Sequence, residues 1–400
     1  MSSSIPSPAR ASRLNSIDFV RGLVIVIMAL DHSRDLLHTT SLVQNPVDLA
    51  TTTPGLFMTR WITHFCAPIF VFLAGASAWL MMKSQANPPA TRRFLLSRGL
   101  LLILLEVTVV GFGIWADLQF RTFLFQVIFG IGSGFVILSL LSALPSRLLG
   151  LLGLAIISLH GLLPAEPFDH SGNGGAGNLL LGLFFHGGFF KLDASHALIV
   201  GYPVIPWLGV MLLGFGFGEV FEMSPPKRKN ILFWCGAGAL LLFAVLRGFN
   251  LYGDPRPWTS QASGMFSLLS FLNVNKYPPS LLYVCVTLSV MFFVLCLAEG
   301  RSNRFMDAFI TYGRVPMFFY LLHWYLIHLS MFVMLLLQGI TWEQMPFGIM
   351  QFGRPEQGAG LDLPFVYLYW LCLVLVMYPL CRWYGRYKAA HREKKWLAYL

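Results

Sequence analysis

Residues 16–38 read SIDFVRGLVIVIMALDHSRDLLH: Ser16, Asp18 and Arg21, an unbroken apolar run from Gly22 to Leu30, then Asp31, His32, Arg34, Asp35 and His38. A helix needs about 20 mostly apolar residues to cross a bilayer, and this stretch has that length with charges at both ends. Nine further stretches share its apolar character: 59–82, 94–114, 121–143, 147–163, 202–222, 230–249, 279–298, 312–338 and 364–384. The expected fold is all-α, a polytopic transmembrane helical bundle of about ten spans. Composition points the same way. Of 400 residues, 56% are hydrophobic and 12% charged, against about 25% charged in soluble domains. Such a chain is not a disordered protein, a disulfide-rich secreted domain or an ordinary soluble enzyme. Nor does it show the alternating strands of an outer-membrane barrel. Residues 1–15 read as a tail, 16–386 as one transmembrane domain and 387–400 as a basic tail. The charges inside the first span argue against a cleaved signal peptide.

The net charge is +10, but its placement points to a lipid bilayer and away from nucleic acid. Alternate loops and the two tails hold 18 of the 28 basic residues, from Arg10 and Arg13 to Lys394 and Lys395. By the positive-inside rule both termini are then cytoplasmic, and the compact ten-span form without a targeting signal gives a bacterial inner membrane as the expected location. The six cysteines fall in apolar spans without a CxxC pair, as small buried hydrophobes do. Three outer segments are long: 164–201, 250–278 and 339–363. They are read as a substrate-facing surface, the Gly- and His-rich first one being partly re-entrant.

Ionisable residues inside spans are costly and mark functional sites by default. Arg21 and His32 are eleven residues apart, which returns them to nearly one helix face about 16–17 Å apart along the axis. A cation near the cytoplasmic end and an imidazole near the outer end suit a ligand with an anionic head and a reactive group on a long arm, as in acyl-CoA. Asp35 follows His32 by one turn, in place to orient the imidazole of a general base; Asp31 with Arg34 and Asp18 with Arg21 are alternative neutralising pairs. The second span carries His64 at about the depth of His32, then Pro68 at an expected kink. Arg98 sits deeper than topology requires and is a second phosphate candidate. Glu106 lies near mid-membrane, either paired with a buried cation or catalytic. The ninth span holds Arg314, Tyr320, His323 and His328. Tyr320 and His323 share a face; His323 and His328 are five residues apart and do not point at one metal together. His64 and His323 are candidate donors to an oxyanion. His170, His186 and His196 are scattered, and no metal site is expected. No Walker loop, GxSxG elbow or dinucleotide fingerprint occurs in a strand–helix context.

RLNSIDFVRGLVIVIMALDH (13–32) followed by RDLLH (34–38), THFCAPIFVFLAG (63–75) and YGRVPMFFYLLHWYLIH (312–328) resemble bacterial membrane proteins related to heparan-alpha-glucosaminide N-acetyltransferase. The similarity is carried by the first three helices and the ninth. The arginine-to-histidine spacing is also similar to that of membrane acyltransferases that O-acylate polysaccharides, within one transmembrane acyltransferase superfamily. The resemblance implies transfer of an acyl group, acetyl first, from cytoplasmic acetyl-CoA or another acyl-CoA as co-substrate. The acceptor would be a hydroxyl or amine, of a glycan or a small molecule, on the extracytoplasmic side. In the polysaccharide enzymes the catalytic histidine matches His32. In the heparan enzyme that position resembles an Asn and the histidine comes later, which leaves His38 as the alternative. The expected catalytic set is His32, Asp35, His38, His64 and His323, and the expected acyl-CoA contacts are Arg21, Arg98, Arg314 and Tyr320. From another class, a small-solute transporter or exporter would share the spans and buried charges. A homodimer is left open.

Overall fold

The computed structural model describes residues 14–84, 88–163, 176–391 and 393–399. The tail through Arg13 and the Gly-rich segment containing His170 lie outside them. Each of the ten expected spans contains a helix. Among the described residues, seven are long and apolar enough to cross a membrane: Pro54–Ser84, Pro89–Trp115, Val204–Glu222, Pro225–Gly248, Leu281–Ala298, Pro316–Leu337 and Leu363–Ala390. The other three depart from that standard for plain reasons. The first helix, Asn15–Leu37, is long but carries five charged residues. Val127–Leu141 and Ser146–Leu162 are apolar but short. Large apolar side chains such as Leu100, Leu140, Trp234 and Leu375 face outward from these helices, as in a protein solvated by lipid tails.

The expected span 121–143 is corrected at its start. Thr122–Phe125 is a strand, and the helix begins only at Val127. β-branched and aromatic residues favour that extended conformation. The strand pairs in parallel with Ala197–Val200, which pairs antiparallel with Gly188–Lys191. The described part of 164–201 is thus a short helix, Ala176–Leu181, a π-helical turn, Gly182–His186, and a hairpin that joins this sheet.

The first helix is central. It packs against Cys66–Ser84, Arg304–Gly313, Pro316–Leu337 and Leu363–Ala390. Its contact with Arg304–Gly313 is backbone against backbone. A Cβ at Gly22 would lie 1.8 Å from the Phe309 carbonyl oxygen, and one at Gly313 would lie 1.8 Å from that of Asp18. Small residues allow this approach, and it brings Arg314 beside Asp18 and Arg21.

The second span breaks at His64–Phe65, one turn before Pro68. Proline has no N–H to give the carbonyl four residues back; the freed His64 oxygen accepts the Tyr283 hydroxyl at 2.7 Å. Two buried arginines pin the long loops. Arg247 donates to the carbonyls of Arg256, Ser270, Phe271 and Asn273 at 2.6–3.0 Å. Arg354 donates to the His38 carbonyl at 2.7 Å and to Ser41 Oγ at 2.8 Å. All six cysteines are free; Cys66, Cys285 and Cys381 are buried, but Cys372 is exposed, on the outer face of the last helix, so the expectation of burial fails there.

Candidate functional site

Two cavities lie end to end along the first helix. One, of about 260 Å³, is lined by Arg21, Arg98, Arg314 and Lys388 together with Ser77, Tyr320 and apolar side chains. Among its described lining residues four are cationic and none is acidic. Arg21 donates to Ser77 Oγ and, at 3.4 Å, to Asp18 just behind the wall. Arg314 lies 3.8 Å from the same carboxylate. Arg98 reaches over the Phe135 ring at 5.8 Å, and its Nε is buried without a hydrogen-bond partner. Lys388 comes from the last helix, so the beginning of the first helix and the end of the last meet on one face of the protein.

The second cavity, of about 500 Å³, is lined by Asp31, His32, Asp35, Arg60, Lys276 and Tyr277, with Gln126, Trp115, Tyr202 and Trp324. The three-stranded sheet supplies Leu124 and Ile199 to its wall. Its charges are interlocked. Asp31 is held by Arg34 at 3.1 Å and by Arg60, while Arg34 also holds Asp35 at 2.5 Å. Lys276 is buried in the loop that Arg247 pins, with its ammonium 5.0 Å from the Tyr277 ring centre. Met28, Phe70 and Val127 line both cavities and form the wall between them.

His32 faces the second cavity, and its partner is His323 rather than Asp35. His32 Nδ1 lies 2.6 Å from His323 Nε2, and His323 Nδ1 lies 3.1 Å from the Phe319 carbonyl oxygen. The carbonyl can only accept, so neutral His323 carries its proton on Nδ1 and accepts on Nε2. His32 then donates through Nδ1, and its Nε2 keeps the lone pair. The His32 ring also stacks on Trp324, with centroids 4.0 Å apart and planes at 21°. Asp35 is drawn off because the Arg34 guanidinium, its sequence neighbour, gives it a charged partner.

The remaining sequence candidates lie elsewhere. His323 is fully buried behind His32 and lines neither cavity. His64 also lines neither; its ring packs edge-on against Tyr283. His38 ends the first helix away from both cavities, with Nδ1 3.2 Å from Thr40 Oγ1. His328 spans two carbonyls, Gly113 at 3.1 Å and Phe352 at 3.0 Å, and ties the helix to a loop. Among the described residues Glu106 meets no cation: its Oε2 accepts the Phe129 N–H at 3.0 Å, at the start of Val127–Leu141, where a helix N-terminus favours negative charge. Glu106 also opens a five-residue π-helical stretch, Glu106–Val110, a distortion common at functional sites.

Sequence reasoning missed Gln126, Trp324, Arg60, Lys276 and Lys388. Gln126 had a signal, being the one polar side chain in the run from Thr122 to Gly132 apart from Thr122 itself. The lysines and Arg60 were hidden among residues that topology already explained.

Residues 13–247, more than half of the chain, match a family model described as heparan-alpha-glucosaminide N-acetyltransferase, catalytic. The match takes in Arg21, His32, Arg98 and Gln126 and ends before the helix of His323. No curated protein matches the chain significantly.

Proposed function

The chain belongs to the heparan-alpha-glucosaminide N-acetyltransferase catalytic family, and from that membership we propose that it is an integral membrane acyltransferase. It moves an acyl group, acetyl in the first instance, from cytoplasmic acyl-CoA to a hydroxyl or amine, such as that of a sugar, on the far side of the membrane. One observation carries the reading. A cation-lined cavity and a histidine-bearing cavity meet end to end at Met28, Phe70 and Val127. The first suits the phosphates and arm of acyl-CoA, and the second suits a polar acceptor.

In this reading Arg21, Arg98, Arg314 and Lys388 hold the phosphates, and the positive-inside asymmetry supports a cytoplasmic position for their cavity. The buried Nε of Arg98 is a donor that an anion would satisfy. The pantetheine arm follows the first helix over the roughly 16–17 Å that separate Arg21 from His32, bringing the thioester to the wall between the cavities. His32 Nε2 takes the proton of the acceptor hydroxyl or amine as its oxygen or nitrogen bonds to the acyl carbon. The carbon–sulfur bond then breaks, and the CoA thiolate recovers the proton from the His32 imidazolium, leaving acylated acceptor and free CoA. His323 stabilises that imidazolium by accepting from Nδ1, and the Phe319 carbonyl fixes His323 in the tautomer that can do so.

Labelled acetyl-CoA, supplied to purified protein with a panel of amino sugars and polyols, tests this. Transfer that disappears in His32→Ala while acetyl-CoA still raises the melting temperature is the expected result. Full transfer without His32 refutes the base. A protein that ignores acetyl-CoA but moves a solute down a gradient refutes the acyltransferase.

A further inference from the structure

Four buried polar atoms without a hydrogen-bond partner cluster where the cavities meet: Tyr320 Oη, Trp324 Nε1, Gln126 Nε2 and Glu106 Oε1. Tyr320 lines the cation cavity, and Trp324 and Gln126 line the histidine cavity. The Trp324 ring lies flat on His32, and the Tyr320 ring stands edge-on to it at 6.4 Å. Trp324 lies within hydrogen-bonding reach of Tyr320, and Gln126 of Glu106, but neither pair closes a well-formed hydrogen bond. Native proteins rarely leave buried donors unpaired, because the lost hydration is not recovered. Three donors gathered beside one general base call for an acceptor that arrives from outside.

We propose that Tyr320 Oη, Trp324 Nε1 and Gln126 Nε2 bind the carbonyl oxygen of the acyl thioester and stabilise the oxyanion formed when the acceptor attacks. This assignment rests on the acyltransferase reading and names the groups that reading lacks, since His323 and His64 lie outside both cavities. The chemistry asks for donors at this spot. As the acceptor's lone pair bonds to the acyl carbon, the C=O π pair moves onto oxygen, and the negative charge needs fixed N–H and O–H dipoles in a site without water. Met28, Phe70 and Val127 keep the surroundings apolar. When the oxygen's pair returns, the carbon–sulfur bond breaks and the thiolate leaves. Glu106, with Oε2 fixed on the Phe129 N–H, attracts the NH₂ end of Gln126. That end has two hydrogens, so one remains for the substrate.

The test uses full-length protein with acetyl-CoA carrying ¹³C at the thioester carbonyl. Isotope-edited infrared spectroscopy reads the carbonyl stretch of the bound molecule, with no need for the acceptor. Bound to the wild type, the band is expected at lower frequency than in solution. Tyr320→Phe, Trp324→Phe and Gln126→Met should each move it back toward the solution value. Each should also lower turnover at saturating acetyl-CoA about 10²–10³-fold, with little change in acetyl-CoA affinity. A wild-type band at the solution position overturns the proposal even if no variant folds. So does a shift that survives all three substitutions. Both outcomes leave the acyltransferase reading standing when acetyl-CoA stabilises the protein. If acetyl-CoA neither binds nor stabilises the wild type, the acyltransferase reading fails and the proposal fails with it.

Discussion

The two cavities use charge in opposite ways. In the histidine cavity Asp31 is clamped between Arg34 and Arg60, and Arg34 reaches on to Asp35. In the cation cavity Arg21, Arg98, Arg314 and Lys388 face one space with no acid among the described lining residues; Asp18 sits behind the wall and faces both Arg21 and Arg314. Opposite charges locked together within a wall hold a shape, whereas like charges that converge on one space suit an anion. In the proposed reading the histidine cavity therefore keeps a geometry and the cation cavity receives a ligand. Substitutions at the two sites should fail in different ways: loss of rate or fold in one, loss of affinity in the other.

The largest effect should come from His32→Ala. Removing the base is expected to lower transfer by about 10³–10⁴-fold, with acetyl-CoA affinity nearly unchanged because the phosphates are held elsewhere. Adding His323→Ala to that variant should cost little more, since His323 acts through His32, and members of one catalytic unit are not additive. Steady-state rates with a fixed acceptor check both. If the double variant fell a further hundredfold, His323 would have a task of its own.

Asp31→Asn should be next, and in stability rather than rate. It leaves one buried and one half-buried guanidinium short of their shared partner, and breaking such a network costs up to about 3–5 kcal/mol. Thermal unfolding in detergent should show a clear drop. Arg98→Met is its counterpart in the other cavity. It removes one of four like charges, so the ligand-free protein should melt no lower than the wild type. Acetyl-CoA affinity should fall about tenfold to a hundredfold, the worth of a charge-assisted hydrogen bond, and the loss should shrink in high salt. If Arg98→Met destabilised the ligand-free protein as much as Asp31→Asn, the cations would be structural and the division between the cavities would collapse.

What the sequence revealed follows the range of its interactions. Each of the ten apolar stretches contains a helix, because spanning depends on composition within one segment. The strand Thr122–Phe125 was invisible because four apolar residues fit a strand or a helix equally until a partner strand is known. Arg21 and His32 could be related because one helix fixes their spacing. The His32–His323 pair joins residues 291 positions apart, and no local pattern encodes it. The Asp35 pairing goes astray for a different, local reason: spacing along a helix says who is near, and the competing guanidinium of Arg34 decides who is bound. Lys276 and Lys388 counted as topology charges, although the loop clamped by Arg247 and the last helix turn them into cavity walls.

The smallest effect separates the two histidines that the family resemblance left in competition. His38 is buried at the end of the first helix, lines neither cavity, and touches Thr40 through its ring. His38→Gln should therefore change transfer by no more than about threefold, the scale of a single modest hydrogen bond. Its signature lies in pH. Burial, with the nearby guanidiniums of Arg34 and Arg354, holds the His38 imidazole below the usual histidine range. The unfolded chain thus takes up a proton near pH ~6.5 that the folded protein refuses, and folding stability must fall as pH drops through that value. Glutamine does not titrate. Compared with wild type, His38→Gln should gain in melting temperature between about pH 7.5 and about pH 5.5, while its transfer rate stays close to normal. A variant that loses transfer and keeps the wild-type pH slope would move the base from His32 to His38, and the second cavity would then lose its catalytic role.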